Sequence, residues 1–156
     1  GFLTACAPPP PEYPQNICLI YSEYPHWFWD SEATYRKWGL PEYVLMAVIN
    51  QESSFNSHAK PPRRYILWVI PWKRISTAKG YSQALNGTWK EYEQDEHRSA
   101  SRTRFTDSAD FVGWYSNLAS RADHISPYDA YSFYLAYHEG LGGYNEKTYL
   151  RKPWLV

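Results

Sequence analysis

The stretch PEYVLMAVINQESSFN (residues 41–56) decides how this chain folds. Apolar side chains recur in it at helical spacing, and its proline suits a first helical position: Val44, Leu45, Val48 and Ile49. Glu52 lies on the same stripe, at the end of the predicted helix. A carboxyl group that faces apolar neighbours loses hydration, which raises its pKa and lets it act as a proton donor. Spacing alone also allows a second interpretation, in which the helix frays after Asn50 and Glu52 is a solvated terminal acid.

The pattern elsewhere is also mainly helical and predicts about five helices. Besides the segment that begins at Pro41, they cover residues 30–38, 82–96, 107–121 and 126–139. Asp30, Asp107 and the stretch from Ser126 to Asp129 are predicted caps, and Gly39 and Gly140 are predicted stops. The run RYILWVIPW (64–72) is β-branched and aromatic, which is typical of either an extended segment or an irregular apolar insertion. The predicted fold class is mainly α with this irregular insertion.

The charge of the chain is balanced, with 16 basic and 16 acidic residues. A net charge of zero excludes a global field that would steer the chain to nucleic acid. Basic residues do cluster over 98–104, directly after an acidic stretch, and we interpret this as a charged surface loop. We therefore expect no nucleic-acid partner. Aromatic residues make up 19% of the chain, which is typical of either a tyrosine-rich core or a cleft that stacks sugar rings.

The first residues, GFLTAC (1–6), look like the end of an apolar signal segment. Leu3 to Cys6 resembles the bacterial lipobox, whose cysteine is lipidated and becomes the mature N-terminus. The resemblance implies that residues 1–5 are a signal-peptide remnant, that 6–16 are a proline-rich tether, and that 17–156 form the domain. Membrane contact through the lipid alone is expected, with the outer membrane favoured because Ala7 follows the cysteine. A disulfide between Cys6 and Cys18 is the alternative use of these thiols.

The remaining composition predicts no metal or cofactor. Two cysteines cannot make a structural zinc site without further ligands, and the five histidines lack ligand spacing. No segment approaches the roughly 18–20 apolar residues that a membrane-spanning helix needs.

Three short motifs resemble those of the lytic transglycosylases with a goose-type lysozyme fold (the SLT family). Ile49 to Asn56, followed by Ala59, resembles the first motif, in which a helix ends in Glu-Ser-x-Phe-Asn. GYSQ (80–83) resembles the second, Gly-x-x-Gln, and AYHEG (136–140) resembles the third, Ala-Tyr-Asn-x-Gly. The motifs occur in the family's order, and the resemblance covers roughly residues 42–144. It implies a lysozyme-like helical domain.

The resemblance also implies a reaction and the residues that carry it out. Glu52 would protonate the bond between N-acetylmuramic acid and N-acetylglucosamine in peptidoglycan, then act as a base while a 1,6-anhydro ring closes. Ser53, Gln83 and Tyr137 would bind the substrate. One carboxylate can then suffice where ordinary glycosidases use two. No second carboxylate stands out, because Asp107 and Asp129 are predicted caps and Glu139 a predicted exposed acid at a helix end. Trp68, Trp72 and Trp89 could stack sugars or simply pack.

Two other functions remain open at this stage. The domain could bind glycan without cleaving it. In that case it would be a lipoprotein component of an envelope-spanning secretion complex and would bind the other proteins of that complex. It could instead be a true hydrolase that uses water as the nucleophile. All three readings place the chain in a bacterial cell envelope, facing the periplasm.

Overall fold

The computed structural model describes residues 8–60, 63–66, 70–74 and 77–145, with side chains over 8–60 and 77–140. Helices dominate it, which confirms the predicted fold class. In chain order the elements are α1 (Ile17–Glu23), α2 (Pro25–Trp38), α3 (Glu42–Ser53), β1 (Arg63–Ile66), β2 (Ile70–Arg74), α4 (Asn86–Glu96), α5 (Phe105–Asp123) and α6 (Ala130–Asn145). Within these ranges no helix is long and apolar enough to cross a bilayer.

The first two helices differ from the prediction. Helix α1 was not expected, although Asn16 caps it by accepting a hydrogen bond at Oδ1 from the Leu19 N–H, at 3.1 Å. Helix α2 begins at Pro25 rather than after Asp30, because proline suits a first helical position better than the interior. The predicted stop is confirmed: Gly39 ends α2 in the left-handed conformation.

The apolar insertion is extended where the structure describes it. Strands β1 and β2 form an antiparallel pair, with Ile66 opposite Ile70 and Tyr65 opposite Pro71. The extended expectation is confirmed for these described residues, since β-branched and aromatic residues favour a pleated backbone, and the pairing has a register shift between Arg63 and Tyr65.

The predicted caps of the last two helices had different outcomes. Asp107 was expected to cap α5, but this helix begins at Phe105 and Asp107 lies in its first turn, where it accepts a hydrogen bond from the Ser101 N–H. Asp129 caps α6, since its Oδ1 accepts from the Ser132 N–H at 3.1 Å, and the helix therefore begins at Ala130 rather than at the predicted Ser126. Gly140 interrupts α6 with φ 77° and ψ 161°, so the predicted stop is a break within a longer element.

Most of the aromatic residues that the structure describes lie in the core, on either side of α5. On one side Trp27 stacks on Phe105 with 4.3 Å between ring centroids, and Tyr81 meets both rings edge-on. On the other side Trp89, Tyr92, Phe111 and Trp114 pack together. Of the two uses foreseen for aromatic residues, core packing therefore accounts for the larger part.

The segment before α1 contacts the helical domain. The Tyr24 hydroxyl donates to the carbonyl oxygen of Pro9, and the Glu12 N–H donates to the Glu23 carboxylate at 3.0 Å. The boundary at residue 16 between a tether and a domain stays a prediction, as does the signal remnant over 1–5, which lies outside the described residues.

Candidate active site

The structure places Glu52 in the last turn of α3, on the wall of a cavity of about 350 Å³. The helix continues through Ser53 and ends at Ser54, whose N–H donates to the Asn50 carbonyl. It therefore does not fray at Asn50, and Glu52 stays on the stripe whose apolar members are fully buried: Val44, Leu45, Val48 and Ile49. The side chain of Glu52 is itself only partly exposed.

The chemical consequence of this position is a carboxyl group that holds its proton. Burial among apolar neighbours raises the pKa of Glu52 from 4.5 to about 7, because the site stabilises the charged form less than water does. A carboxylic acid with this pKa is protonated in a large share of molecules near neutral pH. It can donate the proton to a leaving oxygen and take one up again in a later step.

The residue after Glu52 links the end of α3 to the second motif. The buried Ser53 hydroxyl lies 2.7 Å from the Tyr81 carbonyl oxygen and 3.1 Å from that of Ile49. Ser54 and Phe55 then turn the chain with φ of 50° and 61°, an uncommon conformation for side-chain-bearing residues. Ser53 thus contacts backbone within the protein and is not among the residues lining the Glu52 cavity. Its role in substrate binding stays a prediction.

The second motif forms a tight loop that the rest of the protein holds from several sides. The Gly80 N–H donates to the Ala59 carbonyl at 2.9 Å, and a Cβ at Gly80 would lie 2.0 Å from the Arg102 carbonyl oxygen. With φ of 81° as well, only glycine fits this position. The guanidinium of Arg102 donates to the carbonyls of Thr77 and Ala84 on either side of the loop. This arginine of the 98–104 cluster is therefore part of the scaffold behind the site.

Gln83 lines the cavity with Glu52, as the resemblance led us to expect. Its amide nitrogen donates to the carbonyls of Ala59 and Gly80, at 2.8 and 2.9 Å. Both partners are acceptors, so the orientation of the amide is determined, and the oxygen Oε1 is the atom that can accept a hydrogen bond from a ligand. Gln83 has φ of 56°, and the left-handed backbone at this position helps to hold the side chain in place.

Tyr137 of α6 also lines the cavity, beside Glu52. Its hydroxyl donates to the Ser82 carbonyl at 2.6 Å, and its ring meets that of Tyr115 edge-on with 5.1 Å between centroids. Burial and the charge of Glu52 hold the pKa of Tyr137 well above its usual value, so the phenol stays neutral. The three motifs are thus joined by side chains that donate to the backbone of one loop.

The altered pair in the second motif has a structural explanation. Tyr81 and Ser82 are both fully buried, and Tyr81 fills the aromatic core between Trp27 and Phe105. Their carbonyl oxygens, rather than their side chains, are the groups that accept from Ser53 and Tyr137. The departure from the family's usual residues therefore changes the core behind the loop while leaving these two carbonyl contacts in place.

Sequence reasoning missed a second carboxylate in this cavity. Glu139 was expected to be an exposed acid at a helix end, which is wrong: the side chain is partly buried and lines the cavity with Glu52. His138 lines it as well. The available signal was their position, since both lie between Tyr137 and the Gly140 break. A helical pattern could not indicate that the chain exposes this end of α6 to the cavity rather than to solvent.

Other sequence candidates lie elsewhere in the molecule or outside its described part. Trp89 is buried in the core and donates to the Ala100 carbonyl at 3.3 Å, so it packs and does not line the cavity. The side chains of Trp68 and Trp72 and the whole of Cys6 lie outside the described residues, and Cys18 is exposed on α1. Within the residues that the structure describes, no group of three or more His, Cys, Asp or Glu could hold a metal ion.

Comparison with known proteins identifies the family. The sequence model of the family described as the transglycosylase SLT domain matches residues 1–156. The chain therefore belongs to this family, which agrees with the resemblance of its three motifs and with its mainly helical fold. No match to the chain was found among curated proteins or among solved structures. Membership indicates a lytic-transglycosylase-like protein that acts on peptidoglycan in the bacterial cell envelope.

Proposed function

From this family membership and the cavity around Glu52, we propose that the chain is an active peptidoglycan lytic transglycosylase. It cleaves the β-1,4 bond between N-acetylmuramic acid and N-acetylglucosamine and leaves 1,6-anhydro-N-acetylmuramic acid ends. The observation that carries the proposal is the raised pKa of Glu52, about 7, in a cavity that Gln83 and Tyr137 also line. A group with this pKa can serve as acid and base in successive steps.

In the first step Glu52 donates its proton to the glycosidic oxygen as the bond from C1 to that oxygen breaks. The electron pair of the bond leaves with the oxygen, and the substrate's own acetamide carbonyl stabilises the cation that forms at C1. In the second step the 6-hydroxyl attacks C1 and the Glu52 carboxylate takes up its proton. The proton balance closes on Glu52 and no water is consumed, so the mechanism needs no second carboxylate as nucleophile.

The other predicted site residues have roles that their contacts support. Gln83 presents Oε1 to the cavity and accepts a hydrogen bond from a sugar hydroxyl or acetamide N–H. Tyr137 forms a neutral wall beside Glu52, which limits hydration of the carboxyl group and helps to keep its pKa raised. Ser53 holds the loop that carries Gln83 against the end of α3.

The test is digestion of purified sacculi followed by mass spectrometry of the soluble products. The native chain should release 1,6-anhydro-muropeptides, and Glu52→Gln should release on the order of a hundredfold less or none, the loss typical of a missing general acid. Glu91→Gln, which makes the same change on the exposed surface of α4, is the matched control and should act like the native chain. Products with reducing ends would identify a hydrolase instead. A native chain that binds sacculi and releases nothing would support the structural secretion-complex role.

We also propose that the chain is an outer-membrane lipoprotein, carried by the lipobox-like residues Leu3 to Cys6. Cys6→Ser should move the full-length protein from the membrane fraction to the soluble periplasmic fraction, because the lipid is its only proposed membrane contact. Cys18→Ser is the matched control and should leave the protein with the membrane. Equal behaviour of the two variants would contradict the anchor.

A further inference from the structure

The cavity that holds Glu52 contains a second acidic side chain, Glu139. The two residues belong to different helices, with Glu52 in the last turn of α3 and Glu139 directly before the Gly140 break in α6. Both line the same cavity of about 350 Å³, and the Oε1 atom of Glu139 is buried. A space of this size lies at the small end for ligand sites, so Glu52 and Glu139 line one candidate site for a sugar ring.

The position of Glu139 is unfavourable for the folding of α6. An acid in the last turn before a helix break adds negative charge where the helix dipole is already negative. Burial also takes a carboxyl oxygen out of water, which costs free energy that contacts within the protein must offset. Such conflicts between local preference and structure are typical of functional sites. Gly140 contributes to the arrangement, since its φ of 77° and ψ of 161° turn the chain immediately after Glu139.

Resting on the proposed function, we propose that Glu139 is a second catalytic carboxylate, whose negative charge stabilises the cation that forms when Glu52 protonates the glycosidic oxygen. Positive charge develops at C1 and on the acetamide as the bond from C1 to oxygen breaks and its electrons leave with the oxygen. Glu139 forms no covalent bond and transfers no proton in this step. The 6-hydroxyl remains the nucleophile, so the step needs no co-reactant.

The surroundings strengthen such a charge. Phe111, Tyr115 and Tyr137 form an aromatic part of the wall, and an environment with little water screens charges poorly. Among the residues whose side chains the structure describes, the titratable groups that line the cavity with Glu139 are Glu52, Tyr115, Tyr137 and His138. Tyr137 stays neutral, so its hydroxyl does not compete as an anion for the cationic sugar.

The first experiment measures binding and does not depend on turnover. Two ligands are titrated into the full chain by calorimetry: neutral tri-N-acetylchitotriose and a cationic iminosugar analogue of N-acetylglucosamine. The comparison is made in Glu52→Gln, so that the cation cannot pair with Glu52. Adding Glu139→Gln should weaken binding of the cation on the order of tenfold or more, whereas binding of the neutral trisaccharide should change by less than about threefold. Adding Glu91→Gln should change neither affinity.

Three results of this titration would overturn the proposal. Equal weakening for both ligands would mean that Glu139 only shapes the cavity. Unchanged affinity for the cation, or no binding of either ligand before Glu139 is changed, would exclude an electrostatic role. If Glu139→Gln does not fold, the ratio of cation to neutral affinity in Glu52→Gln is followed from about pH 4 to about pH 8 instead. The ratio must rise as carboxyl groups ionise, and a flat ratio overturns the proposal.

The second experiment uses turnover of a soluble glycan fragment. Glu139→Gln should lower kcat on the order of tenfold with KM within about threefold, because the charge acts in the transition state. Glu139→Asp keeps the charge and should recover part of kcat. An unchanged kcat in Glu139→Gln would contradict the electrostatic role, whereas a native chain without any product contradicts the proposed function and leaves the binding experiment to decide this one.

Discussion

Two polar regions of this protein are built in opposite ways. The first is the Glu52 site, made of the end of α3, the loop 80–84 and residues 137–140. The second is the Asp110 network, in which Trp38, Tyr92 and Arg98 meet the carboxylate of Asp110. In the Glu52 site, side chains donate to backbone carbonyls of the loop 80–84. In the Asp110 network, side chains bond to one another and join α2, α4 and α5.

The backbone differs between the two regions as well. Besides Ser54, which ends α3, two side-chain-bearing residues of the Glu52 site or its adjoining turn have positive φ: Phe55 and Gln83. The helices of the Asp110 network have positive φ only where they end, at Gly39, His97 and His124. Strain stored at a site is maintained only when the surrounding structure determines it strongly. The comparison therefore indicates that the Asp110 network stabilises the fold, whereas the Glu52 site contains backbone conformations that cost free energy.

The largest expected effect on stability comes from a substitution in the loop of the Glu52 site. Gly80→Ala should lower the free energy of unfolding by about 3 kcal/mol or more, because the new Cβ meets the Arg102 carbonyl and the left-handed backbone opposes a side chain. Gly87→Ala is the matched control, since its Cβ meets nothing within 4 Å, and it should be neutral or slightly stabilising. Urea unfolding measures both. Equal effects would show that the loop tolerates displacement.

A second prediction concerns the free energy of unfolding, which the buried carboxylate of Glu52 lowers. Its folded pKa of about 7 lies above the unfolded value of 4.5, so the native state binds more protons between these pH values. The free energy of unfolding should therefore fall as pH rises from 4.5 to 7, by about 2 kcal/mol after allowance for partial exposure. Glu52→Gln removes the cost and should be more stable than the native chain by a similar amount at about pH 8.

The control for this prediction is Glu91→Gln, which makes the same change on the exposed surface of α4. Denaturant titrations at about pH 4.5 and about pH 8 provide the comparison. A Glu52→Gln variant that gains nothing at the higher pH would show that the carboxylate is solvated, and the role of Glu52 as an acid near neutral pH would lose its basis.

A third prediction tests the Asp110 network. Arg98 contacts Asp107 at 2.8 Å, and the side chain of Asp107 is only 8% exposed. Arg98→Met should lower the free energy of unfolding by about 1–2 kcal/mol, between the values for exposed and buried ion pairs. Arg36→Met, which removes an exposed pair with Glu32 at 3.9 Å, should cost less than about 0.5 kcal/mol. Activity below the unfolding transition should persist in both variants, and its loss in Arg98→Met would couple the two regions.

The smallest expected effect distinguishes the roles of two adjacent serines. Ser53→Ala should cost about 1 kcal/mol, because the buried Tyr81 carbonyl loses a donor, and KM should change by less than about twofold. Ser54→Ala removes an exposed hydroxyl from the same turn and should cost less than about 0.5 kcal/mol. Thermal unfolding and steady-state kinetics distinguish the roles. A large rise in KM with unchanged stability would favour direct substrate binding by Ser53.

Much of the fold was predictable because its signals are local. Apolar spacing along α3, Gly39 after α2 and the Asp129 cap of α6 each depend on a few neighbouring residues. The wrong predictions had two different causes. Two signals of comparable strength competed at the start of α2, where Pro25 prevailed over Asp30. Asp107 has the composition of a cap, but its carboxylate bonds to Ser101 and Arg98, which no pattern within α5 could indicate.

The sequence by itself determined the mainly helical fold class, the family and the three motifs that contain Glu52, Gln83 and Tyr137, because each depends on residue type and short spacing. Only the tertiary structure decided what surrounds Glu52. The pKa of a carboxyl group depends on hydration, and hydration depends on which distant segments close around it. The same packing brings the hydroxyl of Ser53 into contact with the Tyr81 carbonyl and places Glu139 in the wall of the cavity. Single residues supply the chemical groups of the site, whereas packing supplies the free energy that holds these groups in position.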